Sequence, residues 1–170
     1  MKGIVLSSIH NFASSYETSN TLVNKLWKNI TWSSSGNFLS IPTDCPQRNE
    51  RLGWAGDISV FSRTATYLAD VSQFLRRYVQ SMRDVQRSDG RFPDIAPLGG
   101  GFGGLLWGSA GITVPWECYQ QYGDKRLLNE HYDAMSQYIQ YILDKMIEKE
   151  TGLLVQNLSL IHISEPTRRR

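Results

Sequence analysis

Cysteine is scarce in this sequence. Cys45 and Cys118 are the only two, they form no CxxC pair, and they are too few for a disulfide framework. Histidine is nearly as sparse: His10, His131 and His162 stand too far apart for metal-ligand spacing, so no metal site is predicted and no cofactor is implied. No apolar run reaches eighteen residues, which excludes a helical membrane span. The body also lacks charge of one sign. The formal charge of +2 is carried by residues 158–170, with three arginines and one glutamate, and a nucleic-acid footprint would need clustered basic residues. The 41% of hydrophobic and 20% of charged residues that remain suffice for one ordinary core and are incompatible with a disordered chain.

The two ends differ from the middle. Met1-Lys2-Gly3-Ile4-Val5-Leu6-Ser7-Ser8 holds an apolar run too short for the core of a secretory signal. It reads as a short strand-like segment, so residues 1–14 are expected to lead in from something upstream. Residues 158–170, from Leu158 to Arg170, break the helical pattern before them and resemble the conceptual translation of a sequencing adapter. They are therefore set aside as a non-native tail.

Between these ends the periodicity predicts an all-α fold of five helices. The first runs from about Ser19, as N-cap, to Trp32 with Val23, Leu26, Trp27 and Ile30 on one face, and Ser33-Ser34-Ser35-Gly36-Asn37 stops it. An irregular stretch follows from Phe38 to Gly56. A second helix starts near Asp57 and carries Val60, Phe61, Thr64 and Tyr67. Asp70 caps a third, whose stripe contains Val71, Phe74, Leu75, Tyr78, Val79, Met82 and Val85. Two prolines and the glycines at 99–104 mark Arg91–Trp107 as loop, either a mobile flap or, preferably, a simple turn. A fourth helix covers Ser109–Tyr122, begun or kinked by Pro115. The fifth, Lys125–Glu148, repeats Leu128, Tyr132, Met135, Ile139, Ile142 and Met146. Stripes this broad need covering neighbours, so the chain reads as part of a larger helical array, poorly soluble or partly molten when isolated.

The densest reactive cluster is Pro42-Thr43-Asp44-Cys45-Pro46-Gln47-Arg48-Asn49-Glu50-Arg51-Leu52-Gly53-Trp54-Ala55-Gly56-Asp57. Prolines at 42 and 46 bias it towards extended backbone, which would point Asp44, Arg48, Glu50 and Trp54 the same way. Gly53 and Gly56 permit a turn that returns Asp57 to them. Cleavage of a glycosidic bond needs one carboxylic acid to protonate the leaving oxygen and a second carboxylate across the ring. Neighbouring carboxylates raise the proton affinity of one member, Arg binds hydroxyls, and Trp packs on the C–H face of a sugar. A solvated surface loop with ion pairs accounts for the same composition equally well.

The run Ile41–Asp57 closely resembles the catalytic-domain signature of bacterial α-L-rhamnosidases, glycoside hydrolase family 78. Gln86, Asp89-Gly90, Pro93, Ala96-Pro97, Trp107, Val114-Pro115-Trp116 and Tyr122-Gly123-Asp124 extend the resemblance in order. It implies an (α/α)6 barrel, of which 15–157 would be the N-terminal, incomplete part. It implies that Glu50 is the general acid, that Asp44, Arg48, Trp54, Asp57 and Trp107 bind a terminal rhamnose, and that the reaction inverts with a general base beyond this chain. The fragment alone would then be inactive. The expected partner is a rhamnose-containing glycoside or polysaccharide. Many relatives carry Asp where this chain has Ser109, which puts one contact in doubt.

Other residues weigh less. Glu117 is a helix-surface charge or, less favoured, a group at the barrel mouth. His131 reads as a satisfied, half-buried histidine, Tyr132, Tyr138 and Tyr141 as packing, and Cys45 as a small buried filler. Another (α/α)6-barrel carbohydrate-active enzyme, or a non-catalytic sugar-binding helical module, remain alternatives.

Overall fold

Three-residue and two-residue links decide the architecture. A computed structural model describes residues 3–155. Its helices are α1 (Thr21–Asn37), α2 (Ala55–Leu68), α3 (Ser72–Asp84), the single turn α4 (Leu105–Gly108), α5 (Ala110–Tyr122) and α6 (Lys125–Lys145). Links this short force α2 with α3, and α5 with α6, into antiparallel hairpins. Ser59 on α2 meets Thr113 on α5 at 3.1 Å, and Arg63 reaches Glu117 at 4.0 Å. Both numbers rise together, so α2 and α5 are parallel. On the other layer Arg76 of α3 clasps Asp124 at 2.8 Å, and Gln86 just past α3 donates to the Ala134 carbonyl of α6 at 2.9 Å. That layer is parallel too. The two long connections, 38–54 and 85–104, therefore meet at one end, beside the N-termini of α2 and α5.

The helix boundaries and faces depart from the sequence reading in several places. Asn20, not Ser19, caps α1, its side chain accepting from the Leu22 and Val23 amides. α1 also runs straight through Ser33–Asn37. Ser34 bonds back to the Ile30 carbonyl at 2.8 Å and Asn37 to that of Ser33 at 2.9 Å, so these polar side chains are satisfied inside the helix instead of ending it. A two-residue hairpin, β1 (Phe38–Leu39) with β2 (Ile41–Pro42), turns the chain afterwards at Ser40. Residues 3–14 form no regular strand. They lie against the helices through one isolated bridge, Phe12 to Ala69, and through the Ser8 amide to the Phe38 carbonyl. The tail at 158–170 lies outside the described residues.

α2 buries Ala55, Gly56, Ile58, Ser62, Ala65, Thr66 and Leu68 and leaves Val60 and Tyr67 exposed. Small side chains on the buried face let α5 approach closely. α6 likewise buries Leu127, His131, Ala134 and Tyr138, while Tyr132 and Ile139 of the predicted stripe are exposed. α6 stops at Lys145, one turn earlier than predicted, where Ile147 pairs with Leu154 in an isolated bridge.

Pro115 sits inside α5 and cannot donate to the Gly111 carbonyl four residues back. His131 takes over that role: its Nε2 meets the Gly111 oxygen at 3.0 Å, and its ring stacks on Phe92 at 5.5 Å. The ring is fully buried, and burial pushes its pKa down to about 4, with the Arg83 charge adding to the effect. His131 is thus a neutral core residue that repairs a proline defect.

Candidate active site

The loop after β2 is closed at its neck by Asp44. The Asp44 amide donates to the Leu52 carbonyl at 3.0 Å, and the Leu52 amide returns a bond to Asp44 Oδ1 at 2.9 Å. Residues 45–51 bulge from this neck, so the stretch is a pinned loop and not an extended strand. Arg51 takes a left-handed φ of 49°, a conformation that costs a non-glycine residue about 1 kcal/mol and is tolerated where the surroundings over-determine it.

Within that loop the predicted residues converge. Glu50 Oε1 accepts from the Trp54 indole N–H at 2.8 Å, and Oε2 pairs with Arg48 at 2.5 Å. Arg48 also lies 4.0 Å from Asp44 Oδ2. Asp57, in the first turn of α2, shares with Asp44, Asn37, Phe38 and Val60 a cavity of about 340 Å³ between α1 and α2. Burial raises the Asp57 pKa above the ordinary carboxylate value, and the charges of Asp44 and Glu50 push the same way. Four of the predicted residues are in direct contact or one ion pair apart, and the fifth feels their charge.

Trp107 is placed differently. Only 7% of it is exposed, because its indole lies against α2 at Gly56, where a Cβ would come within 2.8 Å of the ring. It reaches the site through Phe102, which meets it edge-on at 4.7 Å and lies 6.0 Å from Trp54. The structure thus makes Trp107 the backing of the aromatic wall. Ser109 bonds back to the Leu105 carbonyl at 2.7 Å and points into α4 rather than towards the carboxylates. Glu117 is part-buried and pairs with Arg63 on α2, about midway along the helix pair.

The sequence reading missed three participants. Cys45 is buried, as expected of a filler, but its Sγ also lies 2.7 Å from Asp44 Oδ2 and 3.1 Å from Arg48 Nε. Burial raises its pKa and Asp44 adds to the effect, which keeps it a thiol that donates to the carboxylate. Phe102 was hidden among glycines. Tyr78 lies at the bottom of the core and donates to the Gly53 carbonyl at 3.0 Å, fixing the turn before Trp54. Asp44, Cys45 and Glu50 present ligand atoms within 4.8 Å of one another. The Arg48 guanidinium already occupies the space between the two carboxylates, so a metal ion would have to displace it.

Residues 11–159 match the bacterial alpha-L-rhamnosidase 6 hairpin glycosidase domain. The chain belongs to this family. The α-L-rhamnosidase of Streptomyces avermitilis is 46% identical over 142 residues, covering 82% of this chain and 14% of that protein. That of Formosa agariphila is 40% identical over 141 residues, covering 82% and 15%. The crystal structure of the Streptomyces avermitilis enzyme complexed with L-rhamnose superposes with a TM-score of 0.76 at 44% identity, over 84% of this chain and 14% of that one. The rhamnosidase-family chain described here therefore spans about one seventh of these relatives' length. Its two helical hairpins in parallel layers are part of the family's (α/α)6 barrel.

Proposed function

We propose that the protein hydrolyses terminal, non-reducing α-L-rhamnosyl residues with inversion, and that Glu50 is the proton donor. The observation that carries this reading is the bracing of one carboxyl by two unlike donors, the Trp54 indole and the Arg48 guanidinium, inside a pinned loop. Such bracing fixes the plane in which the acid meets the glycosidic oxygen. Asp44, Arg48 and Asp57 offer charge-assisted hydrogen bonds to the hydroxyls of the sugar, and the Trp54 face backed by Phe102 and Trp107 offers an apolar wall. The methyl-bearing side of a deoxyhexose suits that wall. The binding of L-rhamnose by the Streptomyces avermitilis enzyme, in which a related chain segment has the same fold, supports the choice of sugar.

An inverting reaction also needs a carboxylate base roughly 6.5–9.5 Å from the acid to activate water. We assign that base to a part of the barrel beyond this chain. In the full-length protein, Glu50→Gln keeps the size and the acceptor for Trp54 but removes the proton. It is expected to lower kcat on an alkyl α-L-rhamnoside by about 10²–10⁴ with little change in KM. Near-normal release of rhamnose would eliminate the assignment. A wild-type protein that binds rhamnose and turns over no glycoside would be a sugar-binding module instead.

A further inference from the structure

The loop that carries Phe102 contains four glycines with positive φ, namely Gly99, Gly100, Gly101 and Gly103. Left to itself, such a segment samples many conformations. One buried residue supplies three of the hydrogen bonds that order it. Asp94 has no exposed surface, and its Oδ2 accepts from the Gly103 amide at 2.7 Å and from the Gly104 amide at 3.4 Å. Its backbone amide donates to the Gly100 carbonyl at 3.0 Å. The Cβ position of Gly101 is filled by the Asp94 carboxyl itself, so the turn is wrapped around that side chain.

The same residue also holds the Trp54 half of the aromatic wall. The Asp94 carbonyl accepts from the Ala55 amide at 2.8 Å, taking up the first N–H of α2. Ile95 bridges to Trp54, and the Ala96 amide donates to the Gly53 carbonyl at 3.0 Å. Trp54 and Phe102, on two separate loops, thus take their relative position from one intervening residue. A buried carboxylate is an expensive way to fill space: burial pushes its pKa up against the opposing pull of the Gly103 and Gly104 amides, and Oδ1 finds no donor among the described residues. An apolar side chain would pack there, but it would leave two glycine amides without an acceptor.

We propose that Asp94 is a positioning residue for sugar binding: its carboxylate fixes the Gly99–Gly104 turn so that Phe102, seated against Trp107, backs Trp54. The proposal rests on the reading of that aromatic wall as part of the sugar pocket. Only one oxygen does the accepting, so Asp94→Asn retains the function through its amide oxygen, whereas Asp94→Ala loses it.

The test measures two quantities in the full-length protein, hydrogen exchange of the peptide covering 99–104 and the kinetics on an aryl α-L-rhamnoside. Asp94→Ala is expected to speed exchange of that peptide about tenfold or more and to raise KM about tenfold, with kcat changed less. Asp94→Asn should restore both. Unchanged exchange in Asp94→Ala overturns the proposal, as does an unchanged KM alongside faster exchange. Failure of Asn to rescue would show that the charge matters and not the acceptor, which also overturns it. If Asp94→Ala does not fold, Phe102→Ala decides: it should raise KM comparably in a folded protein, and an unaltered KM sinks the idea. A wild-type protein inactive on every rhamnoside would refute the assigned reaction, while the exchange measurement still judges Asp94 by itself.

Discussion

Glu50 divides its two oxygens between Trp54 and Arg48, and several neighbours hold the loop in which it does so. Asp44 pins the loop neck, Cys45 ties Asp44 to Arg48, and Tyr78 fixes Gly53. The motif residues could be named from the sequence because their chemistry is in their type: carboxyl, guanidinium, indole. The supporting residues could not, since a cysteine, a tyrosine on an apolar stripe and a phenylalanine among glycines gain their roles only through space. Trp107 shows the limit most clearly. Its place in the resemblance marks it for sugar contact, yet it is buried beneath α2 because position 56 has no side chain. That relation reverses an ordinary rule. Gly→Ala in a helix usually stabilises by about 1 kcal/mol. Gly56→Ala drives a methyl to within 2.8 Å of the Trp107 ring and is expected to destabilise by about 1–3 kcal/mol, read as a lower urea midpoint. A raised midpoint would contradict the packing described here.

At the scale of elements, the helices were legible wherever large apolar residues carried the burial. The face of α3 was read correctly because Leu75, Tyr78, Val79 and Met82 are both apolar and buried, although Val71 and not Asp70 is its N-cap. α2 and α6 were read on the wrong faces because their buried stripes mix a few large apolar residues with glycine, alanine, serine, threonine and histidine, which do not stand out in an apolar count. The pairing of His131 with the carbonyl freed by Pro115 links α5 to α6 in a way no periodicity reveals. It also makes the hairpin pH-sensitive. The native state refuses a proton until about pH 4, whereas the unfolded chain accepts one near 6.5, so the unfolded state binds more protons within that window. Stability therefore falls as pH drops from 6.5 to 4, by roughly 3 kcal/mol from this group, and is unaffected above 6.5. Asp57 and Asp94, whose pKa values are raised, contribute in the opposite sense as they take up protons. His131→Gln keeps a donor for Gly111 and cannot titrate, so its urea midpoint should lose that component of the acid slope. An identical slope in the variant would place the titration elsewhere.

For the molecule as a whole, connectivity decides where the candidate residues meet. Short links on one end and long loops on the other collect the candidate residues at the N-termini of α2 and α5, and Asp57 in the first turn of α2 stands where the helix dipole favours negative charge. The alternation of short and long connections was visible in the sequence, and so was the expectation of a wider helical array. The described chain leaves Leu22, Leu26 and Trp32 of α1, Val60 and Tyr67 of α2, and Trp116 of α5 exposed, faces of the kind a further ring of helices covers in an (α/α)6 barrel. The parallel layering was not legible, because it depends on contacts such as Ser59 with Thr113 across 54 positions.

The most direct measurement compares wild-type and Glu50→Gln full-length protein on a series of rhamnosides whose leaving groups run from dinitrophenol to a simple alcohol. A proton donor matters most to the leaving group that departs worst. The variant should lose about 10³ in kcat/KM on the alkyl rhamnoside and less than about tenfold on the dinitrophenyl one. An equal loss across the series, or none, would contradict the role assigned to Glu50.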